Sequence, residues 1–300
     1  MKPKIYIAGH NGMVGSAIMR KLRERSADIV TKTHAELDLT KQQEVVQFFH
    51  DQKLEQVYLA AGMVGGIHAN TTYPADFIYN NIMIQTNIID AAFKSGVKRL
   101  VFIASSSAYP KLSEQPIKEE SLLTGPLEST NEAYAIAKIA GIKLCESYNI
   151  QYGKLHKIHY QSLMPTNLYG LGDNYHPMNS HVIPGLIRRI HEAKKNNNIV
   201  NIWGSGNARR EFLFVDDLAE ASIFTMNLNS KVFKTLPAHL NAGCGRDLTI
   251  RELVKIICDV LDFHGKVAFD KSMPEGVQRK ALDTSQLNNL GWRASTKIEI

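Results

Sequence analysis

The sequence predicts an α/β fold, namely a Rossmann-type doubly wound parallel sheet with a smaller α/β substrate-binding domain. Three observations predict it. An apolar strand at residues 4–8 leads into a glycine-rich turn and an amphipathic helix, and further apolar strands then alternate with helical segments. Tyr134 and Lys138 lie four apart on one predicted helix face, after a strand that ends in serines. With 300 residues, 44% of them hydrophobic, the chain is long enough for two domains.

Composition argues against several classes of protein. No apolar run approaches the ~18–20 residues of a membrane span, and the first strand begins too early to leave room for a signal peptide. We therefore expect a cytoplasmic protein without a membrane partner. The net charge of +6 comes from dispersed Lys and Arg residues without an aromatic-basic repeat. An anionic small molecule explains that charge as well as nucleic acid does, and we expect no nucleic-acid partner.

The cysteines and histidines indicate no metal site. Cys145, Cys244 and Cys258 are widely spaced and contain no Cys-x-x-Cys pair, so we expect neither a disulfide framework nor zinc. The stretch 154–160 is rich in His and Lys but has no carboxylate or cysteine to complete a ligand set. We predict that it forms a surface loop.

The glycine turn after the first strand indicates a dinucleotide site. Gly9, Gly12 and Gly15 follow a G-x-x-G-x-x-G spacing, and the helix that begins there extends to about Arg25. Glycines permit a tight turn and close approach of backbone amides to a diphosphate, whose charge the helix N-terminus favours. We therefore predict that this turn binds a dinucleotide.

The end of the second predicted strand, residues 29–33, favours NADPH over NADH. Folds that prefer NAD usually place Asp or Glu there to hold the ribose 2′-hydroxyl, whereas this chain has Lys32 and His34. A cation suits a 2′-phosphate. Asp38 and Leu39 follow, and Thr40 resembles the start of a capping box that opens a helix to about His50.

Two further strands lead to the predicted chemistry. Residues 56–60 form the third strand, whose small, flexible exit at 61–66 suits a backbone that lies against a cofactor. A long helix extends to about Lys94, and the fourth strand, 99–104, ends in Ser105-Ser106-Ser107. Ligands of doubly wound sheets sit at the carboxyl ends of strands, so a serine there can hydrogen-bond a substrate oxygen.

Tyr134 and Lys138 pair an ammonium with a phenol. A free phenol has a pKa of about 10, and a nearby cation makes the phenolate easier to form. The same spacing also occurs on solvated helices, so the pair alone decides nothing. Together with the glycine turn and the strand-end serine, it predicts a proton donor for a hydride-transfer reaction.

These motifs, in this order, resemble the extended short-chain dehydrogenase/reductase family. Segments 58–66, 131–138 and 179–184 are similar to those of its GDP-L-fucose synthase group, and the similarity covers nearly the whole chain. That group uses NADPH and acts on GDP-4-keto-6-deoxymannose, epimerising C3 and C5 and then reducing the C4 ketone. The resemblance therefore implies NADPH as cofactor and a GDP-linked 4-keto-6-deoxy sugar as substrate.

The resemblance also implies the roles of individual residues. Ser105 and Tyr134 would hold the C4 oxygen, Lys138 would lower the tyrosine pKa and hold the nicotinamide ribose, and His181 would match the general acid of epimerisation. The candidate substrate-binding residues are Ser106, Ser107, Arg189, Trp203, Arg210 and Lys280. The candidate cofactor-binding residues are Gly9, Asn11, Gly12, Met13, Val14, Gly15, Lys32, His34, Asp38, Leu39, Ala60, Ala61, Ile103, Ala104, Ser105, Lys138, Pro165, Thr166, Asn167, Leu168 and His181.

Two departures from the family pattern matter. Family members carry a cysteine two residues after the serine, as the epimerisation base, where this chain has Ser107. A serine hydroxyl is a far weaker acid than a thiol, so we expect C3/C5 epimerisation to be reduced or lost. The two arginines that many members place around the 2′-phosphate correspond here to Asn11 and His34, which weakens the preference for NADPH.

Several alternatives stay open. The chain would also suit a full epimerase-reductase, a sugar-nucleotide 4-epimerase or dehydratase, or a non-catalytic NADP-binding protein. We expect residues 1–165, with a return segment near 212–243, to form the NADP-binding domain, and 166–211 with 244–300 to form the substrate-binding domain. Relatives dimerise through the helix that bears Tyr134, so we expect a homodimer; the apolar side chains Ile136, Ile139 and Ile142 suit either an interface or the core.

Overall fold

A parallel sheet forms the centre of the molecule. The computed structural model describes residues 2–273 and 276–298. The sheet contains β1 (Lys4–Ala8), β2 (Asp28–Val30), β3 (Gln56–Leu59), β4 (Arg99–Ile103), β5 (His159–Pro165) and β9 (His239–Ala242). Its order is β2-β1-β3-β4-β5-β9, and every neighbouring pair is parallel. The predicted fold class, a doubly wound α/β sheet, is confirmed.

Helices cover both faces of this sheet. One face packs against α2 (Gln42–Gln52), α4 (Pro74–Lys94) and α5 (Glu132–His156), and the other against α1 (Met13–Glu24) and α7 (Val215–Met226). Alternate side chains of β1 point to opposite faces: Tyr6 joins the first apolar cluster, whereas Ile5 and Ile7 join the second. Burial on both faces explains why these strands appear in the sequence as continuous apolar runs.

A smaller layer lies at the carboxyl ends of the main strands. A second sheet joins β6 (Asn167–Tyr169), β8 (Arg209–Phe214), β10 (Asp247–Thr249) and β12 (Arg279–Lys280), while β7 (Val200–Trp203) pairs with β11 (Val267–Asp270). A third apolar cluster lies between these strands and α6 (Val182–Asn196) and α9 (Ile250–Val260). Three short helices complete the α-helices of the described residues: α3 (Ile67–Thr72), α8 (Ser230–Phe233) and α10 (Ser285–Asn289).

The division of the chain into two domains stays a prediction, and one feature bears on its boundaries. Leu287 and Trp292 fall in the range predicted for the substrate-binding domain, yet both pack in the second apolar cluster with the strands and helices of the main sheet. Asp217 at the start of α7 accepts hydrogen bonds from the backbone amides of Ser295 and Thr296. The C-terminal segment is therefore attached to the main sheet.

Two local predictions are wrong. Thr40 does not open α2, because Lys41 is the N-cap residue and the Thr40 hydroxyl donates instead to Asp38 at 2.7 Å. Residues 154–160 do not form a loop: α5 continues to His156, a left-handed Lys157 ends it, and β5 begins at His159.

No helix within the described residues is long and apolar enough to cross a membrane. Within the same residues, no three His, Cys, Asp or Glu side chains converge as metal ligands would. The three cysteines are free, and Cys145 is buried in the first apolar cluster.

Candidate active site

The strand-end serine and the tyrosine helix meet at one point. β4 ends at Ile103, and Ser105 follows as the N-cap of a 3-10 turn at Ser106–Ala108. α5 begins at Glu132, so Tyr134 lies in its first turn. The Ser105 hydroxyl lies close enough to the Tyr134 phenol to lower its pKa. Two hydroxyl groups are therefore held side by side at the carboxyl edge of the sheet.

Lys138 is buried directly behind the tyrosine. Its Nζ donates to the carbonyl oxygen of Ile103 at 2.9 Å and lies 5.8 Å from the centroid of the Tyr134 ring. It also lies 4.8 Å from the centroid of the Phe102 ring. Burial lowers the pKa of Lys138 from 10.5 to about 8, because removal from water disfavours the charged ammonium.

The pKa of Tyr134 is raised rather than lowered. Burial raises it to about 12, and the neighbouring Ser105 hydroxyl only partly opposes that change. The expected lowering by Lys138 is not seen in this structure, because the same burial penalises both the phenolate and the ammonium. The phenol thus keeps its proton at neutral pH, as a proton donor must.

The other two serines of the turn differ in their surroundings. Ser106 is buried, and the Ser107 amide donates to the Ser105 hydroxyl at 3.2 Å. The Ser107 hydroxyl accepts a hydrogen bond from Nδ2 of Asn131 at 3.4 Å. An amide nitrogen cannot take up the serine proton, so this contact does not activate Ser107 as a base.

The glycine turn provides a cradle for a diphosphate. It joins β1 to α1, with Gly12 at the N-cap and Gly9 at φ +85. A Cβ on Gly9 would lie 2.7 Å from Cα of Ala61, and one on Gly15 would overlap the Gly9 carbonyl. Asn11, Met13 and Val14 complete the turn and the first turn of the helix. Backbone packed this closely at a helix N-terminus fits the pyrophosphate of a dinucleotide.

Backbone contacts hold the neighbouring candidate residues along the carboxyl edge of the sheet. The Ala60 amide donates to Ala8, and the Ala104 amide donates to Leu163 at 2.8 Å. In the segment after β5, Thr166 Oγ1 and Asn167 Nδ2 both donate to the carbonyl oxygen of Glu211. Pro165 ends β5, and Leu168 packs in the second apolar cluster.

The candidate 2′-phosphate residues already have acidic partners. Lys32 Nζ lies 3.3 Å from Glu36 Oε1, and His34 Nδ1 lies 4.0 Å from Asp38 Oδ1. Glu36 is held by hydrogen bonds from Thr33, which lower its pKa to about 2. Lys32, expected to meet a 2′-phosphate, thus already has a carboxylate partner in this structure. Such exposed pairs are weak, so an incoming phosphate can still recruit the lysine. Leu39, beside Asp38, packs against the first apolar cluster.

His181 lies at the N-cap of α6. Desolvation by the surrounding protein lowers its pKa, and the nearby Asp173 carboxylate partly opposes this change. The carbonyl of Asn179, two residues earlier, accepts from the Gly66 amide at 3.2 Å. The exit loop of β3 and the His181 segment are therefore in direct contact.

The four substrate candidates other than the serines form two pairs on the smaller layer. The Arg189 guanidinium lies over the Trp203 ring, 5.7 Å from its centroid. Lys280 aligns with Arg210 across the β12–β8 pair. Burial, and then the charge of Arg210, lower the pKa of Lys280 to about 8. An anion that reached this second pair would meet two cations.

The sequence that forms this fold and site matches a known protein family over most of its length. The NAD-dependent epimerase/dehydratase family model matches residues 5–243. The chain belongs to this family.

Named members of the family resemble the chain along nearly its whole length. It is 54% identical to the GDP-L-fucose synthase of Escherichia coli K12, over 99% of this chain and 94% of that enzyme. MlghC, a GDP-mannoheptose C4 reductase from Campylobacter jejuni solved with NADP bound, matches with a TM-score of 0.90 and 40% identity over 99% of this chain and 95% of that one. A GDP-6-OMe-4-keto-L-xylo-heptose reductase from C. jejuni matches with a TM-score of 0.92 and 37% identity, over 99% and 94% of the respective chains.

Sequence reasoning missed three side chains of this family member's site. Asn81 on α4 accepts from the Met63 amide at 3.0 Å and donates to its carbonyl at 2.9 Å, which fixes the loop beside Lys138. Glu36 partners Lys32, and Asn131 contacts Ser107. Asn131 stood within a matching segment, but no spacing rule links it to Ser107, 24 residues earlier.

Proposed function

We propose that this protein catalyses the NADPH-dependent reduction of the C4 ketone of a GDP-linked 4-keto-6-deoxy sugar, either a hexose or a heptose. The observation that carries the proposal is the convergence of Ser105, Tyr134 and Lys138 at the carboxyl edge of the sheet, the edge that also carries the glycine turn. The GDP-L-fucose synthases and GDP-heptose C4 reductases that the chain resembles support the substrate class. MlghC, solved with NADP bound, supports the cofactor.

In this proposal the side chains position the ketone and deliver a proton. NADPH, when bound, supplies the hydride. The hydroxyls of Ser105 and Tyr134 donate to the C4 oxygen and stabilise the charge that develops on it. Tyr134 then gives its proton to that oxygen, and the ammonium of Lys138 beside the ring offsets the charge left on the phenolate.

Replacing the tyrosine tests this role. Tyr134→Phe removes the proton donor, so kcat should fall at least ~100-fold while binding of NADPH is retained. NADPH oxidation in the presence of GDP-4-keto-6-deoxymannose measures the first quantity, and cofactor fluorescence titration measures the second. Tyr79→Phe, at an exposed tyrosine of α4, is the matched control and should change neither. An unchanged rate in Tyr134→Phe would remove the tyrosine from the mechanism.

We infer a preference for NADPH over NADH, supported by Lys32 and His34 near the end of β2. Their pairing with Glu36 and Asp38, and the presence of Asn11 in place of an arginine, make that preference modest. Comparison of kcat/KM for the two cofactors checks it. A preference for NADH would contradict the role of Lys32.

We further propose that C3/C5 epimerisation is reduced or lost. Ser107 stands where the family has its cysteine, and its hydrogen-bond partner Asn131 is an amide that cannot act as a base. Incubation with the 4-keto sugar in deuterated water, with and without NADPH, tests this. We expect reduction without deuterium at C3 and C5. Deuterium entry at rates comparable to reduction would contradict the proposal.

Deuterium entry at C3 and C5 would instead favour the second candidate function, that of a bifunctional GDP-L-fucose synthase. Its support is the 54% identity to an enzyme of that name. His181, which the resemblance matches to the general acid of epimerisation, adds to it. A 4-epimerase instead would turn over without added cofactor, and a dehydratase would need carboxylates where Ser106 and Ser107 stand.

For the substrate we propose that Arg189, Trp203, Arg210 and Lys280 hold the GDP moiety. Paired cations suit a diphosphate, and the aromatic ring suits a base or ribose.

Of the three isoleucines on the helix that bears Tyr134, Ile139 and Ile142 are core residues, whereas Ile136 is 42% exposed. We therefore propose a homodimer that uses the outer surface of this helix. Ile136→Glu should then yield a monomer in light scattering, and an unchanged mass would contradict this interface.

We also propose that the enzyme acts in the cytoplasm, where nucleotide sugars and NADPH are available. Fractionation of cells that express the protein at native levels checks this, and recovery in a membrane fraction would contradict it.

A further inference from the structure

Asn131 is a helix-capping residue that does not cap. It occupies the N-cap position of α5, where an Asn side chain ordinarily accepts a hydrogen bond from the first turn. In this structure the side chain makes no such bond and instead donates from Nδ2 to Ser107. The residue thus forgoes the local interaction for which Asn is favoured, and its side chain faces the strand-end serines.

The other end of the same amide is left without a partner. Oδ1 of Asn131 is buried, and no group in the described parts of the chain hydrogen-bonds to it. A buried carbonyl without a donor is unfavourable, and such groups in native proteins commonly meet a ligand or water. Ser107 accepts from Asn131, so its own proton is free to donate elsewhere. The pair therefore presents one unused acceptor and one unused donor.

Its position indicates which part of a substrate it would meet. Asn131 precedes Tyr134 by three residues, and Ser107 follows Ser105 by two, so the pair lies beside the hydroxyls proposed to hold the C4 oxygen. Its target is then a substituent on a carbon next to C4. In a 4-keto-6-deoxyhexose, C5 carries the ring oxygen and a methyl group, whereas C3 carries a hydroxyl. Only a hydroxyl uses both a donor and an acceptor.

We propose that Asn131 and Ser107 together bind the C3 hydroxyl of the sugar and select substrates that retain it. This inference rests on the proposed function. The hydroxyl donates to Asn131 Oδ1 and accepts from Ser107 Oγ. A 3-deoxy sugar leaves both protein groups unpaired, and sites built to bond a substrate hydroxyl reject analogues that lack it.

The test compares kcat/KM for two substrates, as a ratio, in the unmodified protein and in its variants. The full-length protein is assayed with NADPH on GDP-4-keto-6-deoxymannose and on its 3-deoxy analogue, and kcat/KM is measured for each. We expect the unmodified protein to favour the first by at least ~10-fold. Asn131→Ala and Ser107→Ala should each bring that ratio close to one, mainly by slowing the 3-hydroxy substrate. The double variant should lose little more than either, because the two residues act as one unit.

Two further variants separate this role from folding. Asn131→Ser keeps a residue that can cap the helix, so it should fold as the unmodified protein does, by urea denaturation, and still lose discrimination. Ser129→Ala, at an exposed serine in the preceding turn, should leave the ratio unchanged. If Asn131→Ser reduces 4-keto sugars with an unaltered ratio, this inference is overturned and the proposed function stands. If the unmodified protein reduces neither substrate, the proposed function fails and the inference fails with it.

Discussion

At the scale of single residues, burial has the largest effect on the charges of the site. It lowers the pKa of Lys138 to about 8 and raises that of Tyr134 to about 12. Both changes disfavour the charged form, and the free protein bears that cost without any substrate present. The lysine is thus expected to reduce stability while serving the reaction, which is a common arrangement in active sites.

Lys138→Met should make the free protein more stable and inactive. Between pH 8 and 10.5 the folded state binds fewer protons at this lysine than the unfolded chain does, so its contribution to the free energy of unfolding rises with pH. Below about pH 8 the penalty is complete, about 3 kcal/mol. The substitution also removes the hydrogen bond to the Ile103 carbonyl, which costs about 1 kcal/mol. The free energy of unfolding should therefore rise by roughly 2 kcal/mol at pH 7, as measured by urea denaturation.

The gain should disappear by about pH 10.5, where the lysine is uncharged in both states. Lys143→Met, at an exposed lysine of the same helix, is the matched control and should change stability little. A Lys138→Met variant that is no more stable than the unmodified protein at pH 7 would show that the ammonium is not under strain.

At the scale of elements, α5 approaches the sheet so closely that one of its turns has no room for a side chain. A Cβ on Gly141 would lie 2.6 Å from the Phe102 ring and 2.8 Å from Oε1 of Gln85, whereas a Cβ on Gly153 would make only ordinary contacts, the nearest at 3.6 Å. The two glycines of the helix thus have different reasons to be there.

Alanine at these two positions should have opposite effects. Gly141→Ala should lower the free energy of unfolding by about 1–3 kcal/mol, because Phe102 must move. Gly153→Ala should raise it by about 0.5–1 kcal/mol, because alanine is the better helix former. Urea denaturation of the pair measures both. Equal effects of the two substitutions would contradict the close approach at Gly141.

Elements also show how far the sequence could predict the structure. The order of strands and helices and the glycine turn follow from apolar periodicity and from the rule that ligands sit at strand ends. The pairing of Ser105 with Tyr134 is instead implied by the resemblance to the short-chain dehydrogenase/reductase family. The raised pKa of Tyr134 and the contact between Asn131 and Ser107 depend on side-chain packing, which no local pattern encodes. The partner of Lys32 is different, because Glu36 lies only four residues along the chain. The error at residues 154–160 has the same origin, since a single left-handed Lys157 ends the helix without a glycine.

At the scale of the whole molecule, the two tryptophans serve different purposes. Trp292 is 7% exposed and packs in the second apolar cluster, whereas Trp203 is 45% exposed beside Arg189. Trp292→Ala should lower the free energy of unfolding by about 3–5 kcal/mol. Trp203→Ala should change stability by less than about 0.5 kcal/mol and raise KM for the GDP-sugar. A stability loss shared equally by both would contradict the attachment of the C-terminal segment to the main sheet.

The bond from Lys138 to the carbonyl of Ile103 has a consequence for how the enzyme is inactivated. It joins the tyrosine helix to the last residue of β4, a strand at the centre of the six-stranded sheet. Local fraying of surface loops should leave this connection intact, since both residues are buried. Turnover should therefore vanish together with the sheet itself, so that residual activity during heating reports the fraction of molecules that are globally folded.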